Sequence, residues 1–220
     1  MSTDTPTWTL TDGTTIPIGT MYCIGRNYSA HALEMNAPVP DDPIVFLKPP
    51  AAYRANGSTI TLPAWSHDVH HEVELVIVIG LNTDGVSADN VWDVVAGVGV
   101  GLDLTARDIQ SAAKKDGHPW AIAKAWNGSA PVSTIVSADT SGRGPWDLQC
   151  TVNGKVRQKG STQDMERSVE HLVSYLSSVF TLRRGDCIFT GTPSGVGPIV
   201  SGDVVVASLS SIVSLEVHIA

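Results

Sequence analysis

The strongest constraint on this chain is a run of apolar residues, Leu75 to Ile79, that directly follows two closely spaced glutamates. The run predicts a strand from Glu72 to Gly80 that is buried on both faces, because a strand with one wet face would alternate apolar and polar residues. Glu72 and Glu74 lie two positions apart, so their side chains project from the same face of that strand. The fold must therefore cover both faces of this strand and also accommodate two adjacent carboxylates.

Two adjacent carboxylates on a buried strand repel each other, and a divalent cation would neutralise them at the lowest cost in free energy. The alternative is a wet strand end with both acids in solvent. Asp103 follows the next apolar strand, predicted from Val94 to Leu102, and it can approach the glutamates if the two strands pair. It can equally be the N-cap of the helix that follows it. Three oxygen ligands without a cysteine favour a hard ion, Mg²⁺ first, with Mn²⁺ or Ca²⁺ as alternatives.

Turn signals and periodicity predict one β-rich α+β domain. An Asp-Gly pair at residues 12–13 and an Asn-Gly pair at residues 153–154 lie between alternating residues, which is typical of hairpin turns. Apolar residues at helical spacing predict an amphipathic helix from Ser168 to Phe180. Residues 1–20 are interpreted as an N-terminal arm or hairpin, and residues 21–220 as the main domain. The other predicted elements are strands at Thr20–Ile24 and Ile44–Lys48, short helices near Ser29–Met35 and Ser87–Val91, a helix from Leu104 to Lys115 and a surface loop from Asn36 to Pro43.

Charge and composition exclude several classes of partner. The chain of 220 residues has a formal net charge of −8 and a sequence pI near 5.2. Nucleic acids and anionic membranes attract basic surfaces, so we expect neither as a partner. The N-terminal residues lack the pattern of a secretory signal, and three widely spaced cysteines form neither a disulfide framework nor a thiolate metal site. We therefore expect a cytoplasmic protein.

The segment after Asp103 carries polar residues at helical spacing. Arg107 and Gln110 follow it by four and seven positions, which places all three side chains on one helix face. Because an arginine fork binds carboxylates, this face suits an oxygen-rich substrate beside a metal ion. Asp108 and Lys114 point away from that face, and we expect both in solvent.

Two further patterns each have two interpretations. Lys124 lies in a mostly apolar stretch from Trp120 to Trp126, where it is either a strand residue whose ammonium reaches water or a buried cation that pairs with an anion. His31 and Glu34 stand three residues apart on a predicted helix. A carboxylate at that distance can orient the imidazole and make it a general base, whereas a solvated surface pair is the ordinary alternative.

The loop from Thr190 to Gly197 alternates glycines with hydroxyl residues. Its backbone N–H groups and hydroxyls can hold a carboxylate. It lacks the Gly-Lys-Ser/Thr ending of a phosphate-binding loop, and the glycines at residues 97–101 lack the spacing of a dinucleotide-binding fingerprint. Both nucleotide interpretations are therefore excluded.

Seven strings in a fixed order along the chain resemble the fumarylacetoacetate hydrolase family. The strings are Ile24-Gly-Arg-Asn-Tyr28, His31-x-x-Glu34, Phe46-Leu-Lys48-Pro, His71-Glu-Val-Glu-Leu75, Asp103-Leu-Thr-Ala-Arg-Asp-Ile-Gln110, Ala123-Lys124 and Thr190-Gly-Thr-Pro-Ser-Gly-Val-Gly-Pro198. Each is a modest signal alone, but their shared order is specific. The resemblance runs from Met21 to the C-terminus and is greatest to the short members of the family, namely acylpyruvases, fumarylpyruvate hydrolases, oxaloacetate decarboxylases and oxaloacetate tautomerases.

The resemblance implies a fold, an assembly and a set of site residues. The fold is a roll of mixed β-sheets with a few short helices, as in the C-terminal domain of fumarylacetoacetase, and the assembly is a homodimer. Glu72, Glu74 and Asp103 would bind the divalent ion, and the helix of His31 and Glu34 would fold over the substrate as a lid. The side chains expected to hold substrate oxygens are Arg107, Gln110, Lys124 and Thr192, with Arg26 and Lys48 as secondary candidates.

We accordingly expect a Mg²⁺-dependent hydrolase that cleaves acylpyruvates, 2,4-dioxo acids such as fumarylpyruvate or acetylpyruvate, and releases pyruvate. Its catalytic side chains would be His31, Glu34 and Lys124. His31 would deprotonate the attacking water, and Glu34 would orient the imidazole of His31. Decarboxylation and enol–keto tautomerisation of oxaloacetate remain alternatives, because they would use the same groups. Isomerisation of the 5-carboxymethyl-2-hydroxymuconate type also remains an alternative, because such isomerases belong to the same family. A protein that binds a metal or an acid without turnover is disfavoured, since a mere binder needs no base.

Overall fold

The structure is a computed structural model that describes residues 5–34 and 41–220. The strands are β1 (Thr7–Thr9), β2 (Thr15–Pro17), β3 (Met21–Gly25), β4 (Ile44–Lys48), β5 (Tyr53–Ala55), β6 (Thr59–Ile60), β7 (Val69–His71), β8 (Val73–Ile79), β9 (Val95–Leu102), β10 (Thr105–Ala106), β11 (Ala130–Val132), β12 (Val136–Ser137), β13 (Asp147–Val152), β14 (Lys155–Ser161), β15 (Cys187–Phe189), β16 (Gly197–Pro198), β17 (Val204–Leu209) and β18 (Val213–Ile219). The helices are α1 (Ser29–Glu34), α2 (Arg107–Asp116), α3 (Ala121–Lys124), α4 (Ala138–Ser141) and α5 (Val169–Val179), with 3₁₀ turns at Pro50–Ala52, Ala88–Asp93 and Thr162–Asp164. This content confirms the predicted β-rich α+β class with a few short helices.

The largest sheet is mixed and has β8 in its interior. Its strand order is β4-β3-β15-β8-β9-β11-β5, and β12 also pairs with β9. Every residue of β8 is buried. Leu75 and Ile77 face one apolar cluster with a five-stranded sheet of order β14-β13-β17-β18-β6, while Val76 and Val78 face a second cluster. The prediction that this strand is covered on both sides is confirmed.

The second cluster receives the N-terminal hairpin. Strands β1 and β2 pair antiparallel, and the indole Nε1 of the buried Trp8 donates to the carbonyl of Gly185 at 2.7 Å. The hairpin thus covers the face of the main sheet that carries Val76 and Val78. The division into an arm of residues 1–20 and a domain of residues 21–220 stays a prediction.

The glycines of β9 allow another segment to approach closely. A Cβ on Gly97 would lie 2.3 Å from the carbonyl oxygen of Val136, and one on Gly101 would lie 2.7 Å from the ring of Phe189. These contacts explain the alternate glycines of the strand as a packing requirement.

Other local predictions are confirmed or shifted by a few residues. The Asn-Gly turn joins β13 to β14 with positive φ at both positions, and the Ser168 hydroxyl caps α5. The predicted helix from Leu104 begins only at Arg107, because residues 105–106 form β10 and pair with β7. The end of the first predicted helix at Met35 and most of the predicted loop after it lie outside the described residues. No helix in the described ranges is long and apolar enough to cross a membrane.

Candidate active site

Antiparallel pairing of β8 with β9 brings the three predicted ligands together. Val73 is paired with Leu102 and Glu74 with Gly101, and the amide of Asp103 donates to the carbonyl of Glu72 at 2.8 Å. Glu72, Glu74 and Asp103 are buried and offer carboxylate oxygens that lie within 4.8 Å of one another. Since α2 begins at Arg107, Asp103 does not cap it. The geometry contradicts both alternatives to a metal cluster, namely that the two glutamates lie in solvent at a strand end and that Asp103 caps the following helix.

Three cationic side chains lie against the carboxylates. Lys124 Nζ donates to Glu72 Oε2 at 2.7 Å and to Asp103 Oδ2 at 2.5 Å, and Arg107 Nη2 also donates to Glu72. Burial would raise the pKa of Glu72, but the charges of Lys124 and Arg107 outweigh it and hold that pKa well below its usual range. Burial likewise would lower the pKa of Lys124, yet Asp103 and Glu72 outweigh it and raise that pKa. Lys124 is therefore a buried cation paired with anions, one of its two predicted interpretations.

Lys48 is the third cation, and it lies behind Asp103. Its fully buried Nζ is 2.9 Å from Asp103 Oδ1 and donates to the carbonyl oxygen of Ser129 at 3.0 Å and to its hydroxyl at 2.9 Å. It also donates to the backbone carbonyl of Lys124. Lys48 does not line the cleft in front of the triad, so its contacts fit a support for Asp103 and Lys124 better than the predicted contact with substrate.

Glu74 is the carboxylate least balanced by cations. Burial, together with the neighbouring Asp103 and Glu72, raises its pKa well above the usual range. The one hydrogen bond that the described residues give its carboxylate comes from Gly191 N, which donates to Oε2 at 2.7 Å. Gly191 has φ of +98°, and a Cβ there would lie 2.8 Å from Asn27 Cβ, so glycine is needed for this approach.

The donor set fits a hard divalent cation. All three candidate ligands are carboxylates, the ligand type that Mg²⁺ and Mn²⁺ prefer. Asp103 Oδ1 is buried and, despite its ion pair with Lys48, has no hydrogen-bond partner of good geometry among the described residues. A cation bound here would supply the charge that Glu74 needs to ionise. The contacts of the buried carboxylates therefore favour a metal ion at this position.

The His31–Glu34 pair borders the same cleft. His31 is buried on α1, and its Nδ1 lies 3.1 Å from Glu34 Oε2. The Glu34 carboxylate also accepts from Gly195 N, at 3.1 Å and 3.2 Å from its two oxygens. Glu34 thus connects α1 to the glycine-rich loop and fixes the ring orientation of His31.

The predicted site residues converge on this cleft, whose empty volume is about 430 Å³ with its open mouth included. Those that line it are Arg26, His31, Glu72, Glu74, Asp103, Arg107, Gln110, Lys124 and Thr192, while Glu34 and Lys48 are not among the lining residues. Gln110 accepts from Arg107 Nη1 at 2.7 Å through its Oε1, which directs its amide nitrogen elsewhere. Arg26 has φ of +61°, an uncommon backbone conformation for a residue with a side chain.

Lys114 is exposed, as expected, but it does not point away from the site, because it also lines the cleft. Its Nζ lies 5.1 Å from the centre of the Trp120 ring. Burial and the nearby charges of Arg107 and Arg26 lower its pKa to about 8. Lys114 lies one helical turn beyond Gln110, so the spacing of four residues could have identified it. Its aromatic partner, Trp120, is the residue just before α3, and no local pattern indicates that it lies beside Lys114.

Comparison with known proteins gives a family match and sequence relatives. The family description "Fumarylacetoacetate (FAA) hydrolase C-terminal" matches residues 20–220. The chain is 42% identical over 196 residues to oxaloacetate tautomerase FAHD1, mitochondrial, of Bos taurus, with 88% of each chain covered. It is 42% identical over 189 residues to oxaloacetate tautomerase YcgM of Escherichia coli, with 85% of this chain and 86% of the relative covered.

A solved structure extends the likeness to three dimensions. The crystal structure of fumarylpyruvate hydrolase from Pseudomonas aeruginosa in complex with Mn²⁺ and pyruvate superposes with a TM-score of 0.94 at 34% identity, covering 100% of this chain and 98% of that one. The matched region, the identity and the fold together show that this chain belongs to the fumarylacetoacetate hydrolase family.

Proposed function

We propose that this protein interconverts the enol and keto forms of oxaloacetate at a divalent-cation site. The observation that carries the proposal is the placement of one oriented imidazole, His31, at the same cleft as a buried carboxylate triad and several cations. Tautomerisation moves one proton between C3 and the 2-oxygen of the substrate. It needs a proton carrier and a stabilised negative charge but no water. The two oxaloacetate tautomerases at 42% identity support this choice over the predicted hydrolysis.

Glu72, Glu74 and Asp103 would hold the cation, since their oxygens converge within 4.8 Å. A divalent cation bound there supplies Lewis-acid stabilisation of negative charge on the 2-oxygen. Mg²⁺ and Mn²⁺ both suit three carboxylates.

His31 carries the proton. Its Nδ1 faces Glu34, so Nε2 is the ring nitrogen that can exchange a proton with C3 of a bound 2-oxo acid. The bond from Gly195 N to Glu34 holds this pair in place. A fixed tautomer and ring orientation are what general acid–base catalysis requires.

The remaining side chains of the cleft orient an anionic substrate. Arg107 and Lys124 carry positive charge beside the triad, and the amide nitrogen of Gln110 and the hydroxyl of Thr192 add neutral donors. Oxaloacetate has a second carboxylate, and Lys114 offers it an ammonium on the α2 side of the cleft.

Hydrolysis of an acylpyruvate is the second candidate. The superposition on a fumarylpyruvate hydrolase over the whole chain favours it. The same His31–Glu34 pair could deprotonate a water molecule that attacks the distal carbonyl of a 2,4-dioxo acid. The homodimer implied by the family remains a prediction, which light scattering of the purified protein would test.

The test is a parallel assay of purified protein with added Mg²⁺ or Mn²⁺. The ultraviolet absorbance of freshly dissolved enol-oxaloacetate should decay faster with enzyme, without release of pyruvate, and EDTA or Glu72→Gln should abolish the effect. Release of pyruvate from fumarylpyruvate or acetylpyruvate at a higher kcat/KM would instead establish the hydrolase. No acceleration on any of the three substrates would refute both candidates.

A further inference from the structure

Gln158 is a fully buried polar residue on a strand that is otherwise mostly exposed. In β14 every other side chain is exposed or half-buried, whereas Gln158 has no exposed surface. All four hydrogen-bonding positions of its amide are used. Oε1 accepts from Val73 N at 3.0 Å and pairs with His71 Nδ1 at 2.8 Å. Nε2 donates to the Thr192 hydroxyl at 2.7 Å and to the Pro193 carbonyl at 2.8 Å.

The orientation of this amide follows from its backbone partners. A backbone N–H such as that of Val73 can only donate, and a backbone carbonyl such as that of Pro193 can only accept. The oxygen of Gln158 must therefore face Val73, and its nitrogen must face Pro193. Consequently, His71 Nδ1 carries a proton, and the Thr192 oxygen accepts a hydrogen bond from Gln158.

The hydroxyl proton of Thr192 is then directed toward the cleft. A hydroxyl that accepts from Gln158 still has one proton to donate. The acceptor that the described residues offer this proton is the Pro193 carbonyl at 3.4 Å, which is a long contact and already receives the Gln158 amide at 2.8 Å. Thr192 lines the cleft with the carboxylate triad, so an oxygen of a bound substrate is the better acceptor.

The same amide connects the metal-binding strand to the glycine-rich loop. Val73 and His71 flank Glu72 in the sequence, while Thr192 and Pro193 belong to the loop. The loop packs directly on β14, because a Cβ on Gly195 would lie 2.3 Å from the carbonyl oxygen of Arg157. A displacement of either segment would therefore break contacts to the other.

We propose that Gln158 is a positioning residue that makes the Thr192 hydroxyl a hydrogen-bond donor to the anionic end of a 2-oxo acid. The inference rests on the 2-oxo acid site of the proposed function. Replacing Gln158 by Glu removes the amide donor, so the Thr192 hydroxyl donates its proton to the new carboxylate. The lone pairs of the Thr192 oxygen then face the substrate. Replacing it by Met leaves the Pro193 carbonyl without its donor, and the Thr192 proton turns there.

The experiment measures pyruvate binding by calorimetry with saturating Mn²⁺, and Mn²⁺ binding separately. We expect Gln158→Glu and Gln158→Met each to weaken pyruvate binding about tenfold, the size expected for a hydrogen bond to a charged group. Thr192→Val should weaken it equally, and Thr192→Ser should not. In the Thr192→Val background neither change at Gln158 should weaken binding further. Gln163→Glu, the same substitution on an exposed glutamine, is the control and should bind as wild type.

Each other outcome has a distinct meaning. The inference would be overturned if the losses of pyruvate affinity multiplied in the variants that change both Gln158 and Thr192. It would also be overturned if the single variants kept the wild-type pyruvate affinity, or if they lost Mn²⁺ affinity to the same extent. Failure of both Gln158 variants to fold would make Gln158 a structural residue and overturn it as well. A wild-type protein that binds Mn²⁺ but no pyruvate would refute the proposed function instead.

Discussion

Replacing Glu74 by Gln tests the electrostatics of the candidate metal site. Glu74 is buried, and burial with Asp103 and Glu72 raises its pKa well above the usual range. The folded protein without metal therefore binds a proton at Glu74 that the unfolded chain has already released. Stability must then fall as the pH rises from the ordinary glutamate range toward the folded-state pKa. Glutamine has the shape of the protonated acid and cannot ionise, so the variant should lack this loss.

The magnitude follows from the geometry. The carboxylate oxygens lie within 4.8 Å of one another, and two unit charges at that upper limit repel by about 3.5 kcal/mol at an effective dielectric constant of about 20. Each neighbouring carboxylate contributes on that scale, and Lys124 offsets part of it. Within the affected range, one proton corresponds to about 1.4 kcal/mol per pH unit. For a chain of this size that amounts to about 3–6 °C in Tm per pH unit.

The assay is thermal unfolding of EDTA-treated protein between pH 5 and pH 8. Wild type should lose stability relative to Glu74→Gln as the pH rises, and saturating Mn²⁺ at pH 8 should raise the Tm of wild type but hardly that of the variant. His70 and His71, whose pKa values burial lowers, change both curves alike, so the difference isolates Glu74. Glu166→Gln makes the same chemical change at an exposed position and should follow wild type. Parallel curves for wild type and Glu74→Gln would refute the reasoning.

Other substitutions test the remaining groups. His31→Asn should lower kcat about 10²- to 10⁴-fold by removing the proton carrier, and Glu34→Gln should lower kcat by less. Calorimetry should find the Mn²⁺ affinity of both variants unchanged, and a large loss of Mn²⁺ affinity would contradict the catalytic role. Lys114→Met should raise KM about tenfold for oxaloacetate and fumarylpyruvate, which have two carboxylates, and leave KM for acetylpyruvate unchanged in parallel steady-state assays; equal effects on all three would argue against a second carboxylate site. Lys48→Met should lower the free energy of unfolding by about 3–5 kcal/mol, because it removes one of the two cations paired with the buried Asp103 and leaves the Ser129 carbonyl without this donor. Denaturant titration checks this, and a loss below about 1 kcal/mol would contradict it.

Local patterns were sufficient for the main elements of the fold. The apolar run of β8, the Asn-Gly turn between β13 and β14 and the amphipathic α5 all appear where their patterns predict them, within one or two residues. These signals depend on residues that are neighbours in the sequence, so they can be recognised without knowledge of the tertiary structure. The start of α2 was misplaced because residues 105–106 pair with β7, a contact that the local sequence does not encode.

The candidate ligands were predictable for a similar reason. Glu72 and Glu74 share a strand face by simple alternation, and Asp103 follows the next strand, so a single antiparallel pairing assembles the triad. The order of the short strings also identified the family. Each string is contiguous in the sequence, so it can be recognised without the tertiary structure.

Only the tertiary structure decided what the isolated polar residues do. Lys114 lines the cleft, where Trp120, the residue before α3, lies beside it. Lys48 lies behind Asp103 because β4 and the segment at Ser129 meet there. Gln158 lies on a strand of mostly exposed residues, yet the loop at Thr192 covers it completely. A polar side chain is stable in the interior only when partners from distant parts of the chain satisfy its hydrogen bonds or its charge. The sequence by itself therefore determined the strands, the candidate ligand set and the family, whereas long-range packing determined which lone polar residues lie at or beside the candidate site.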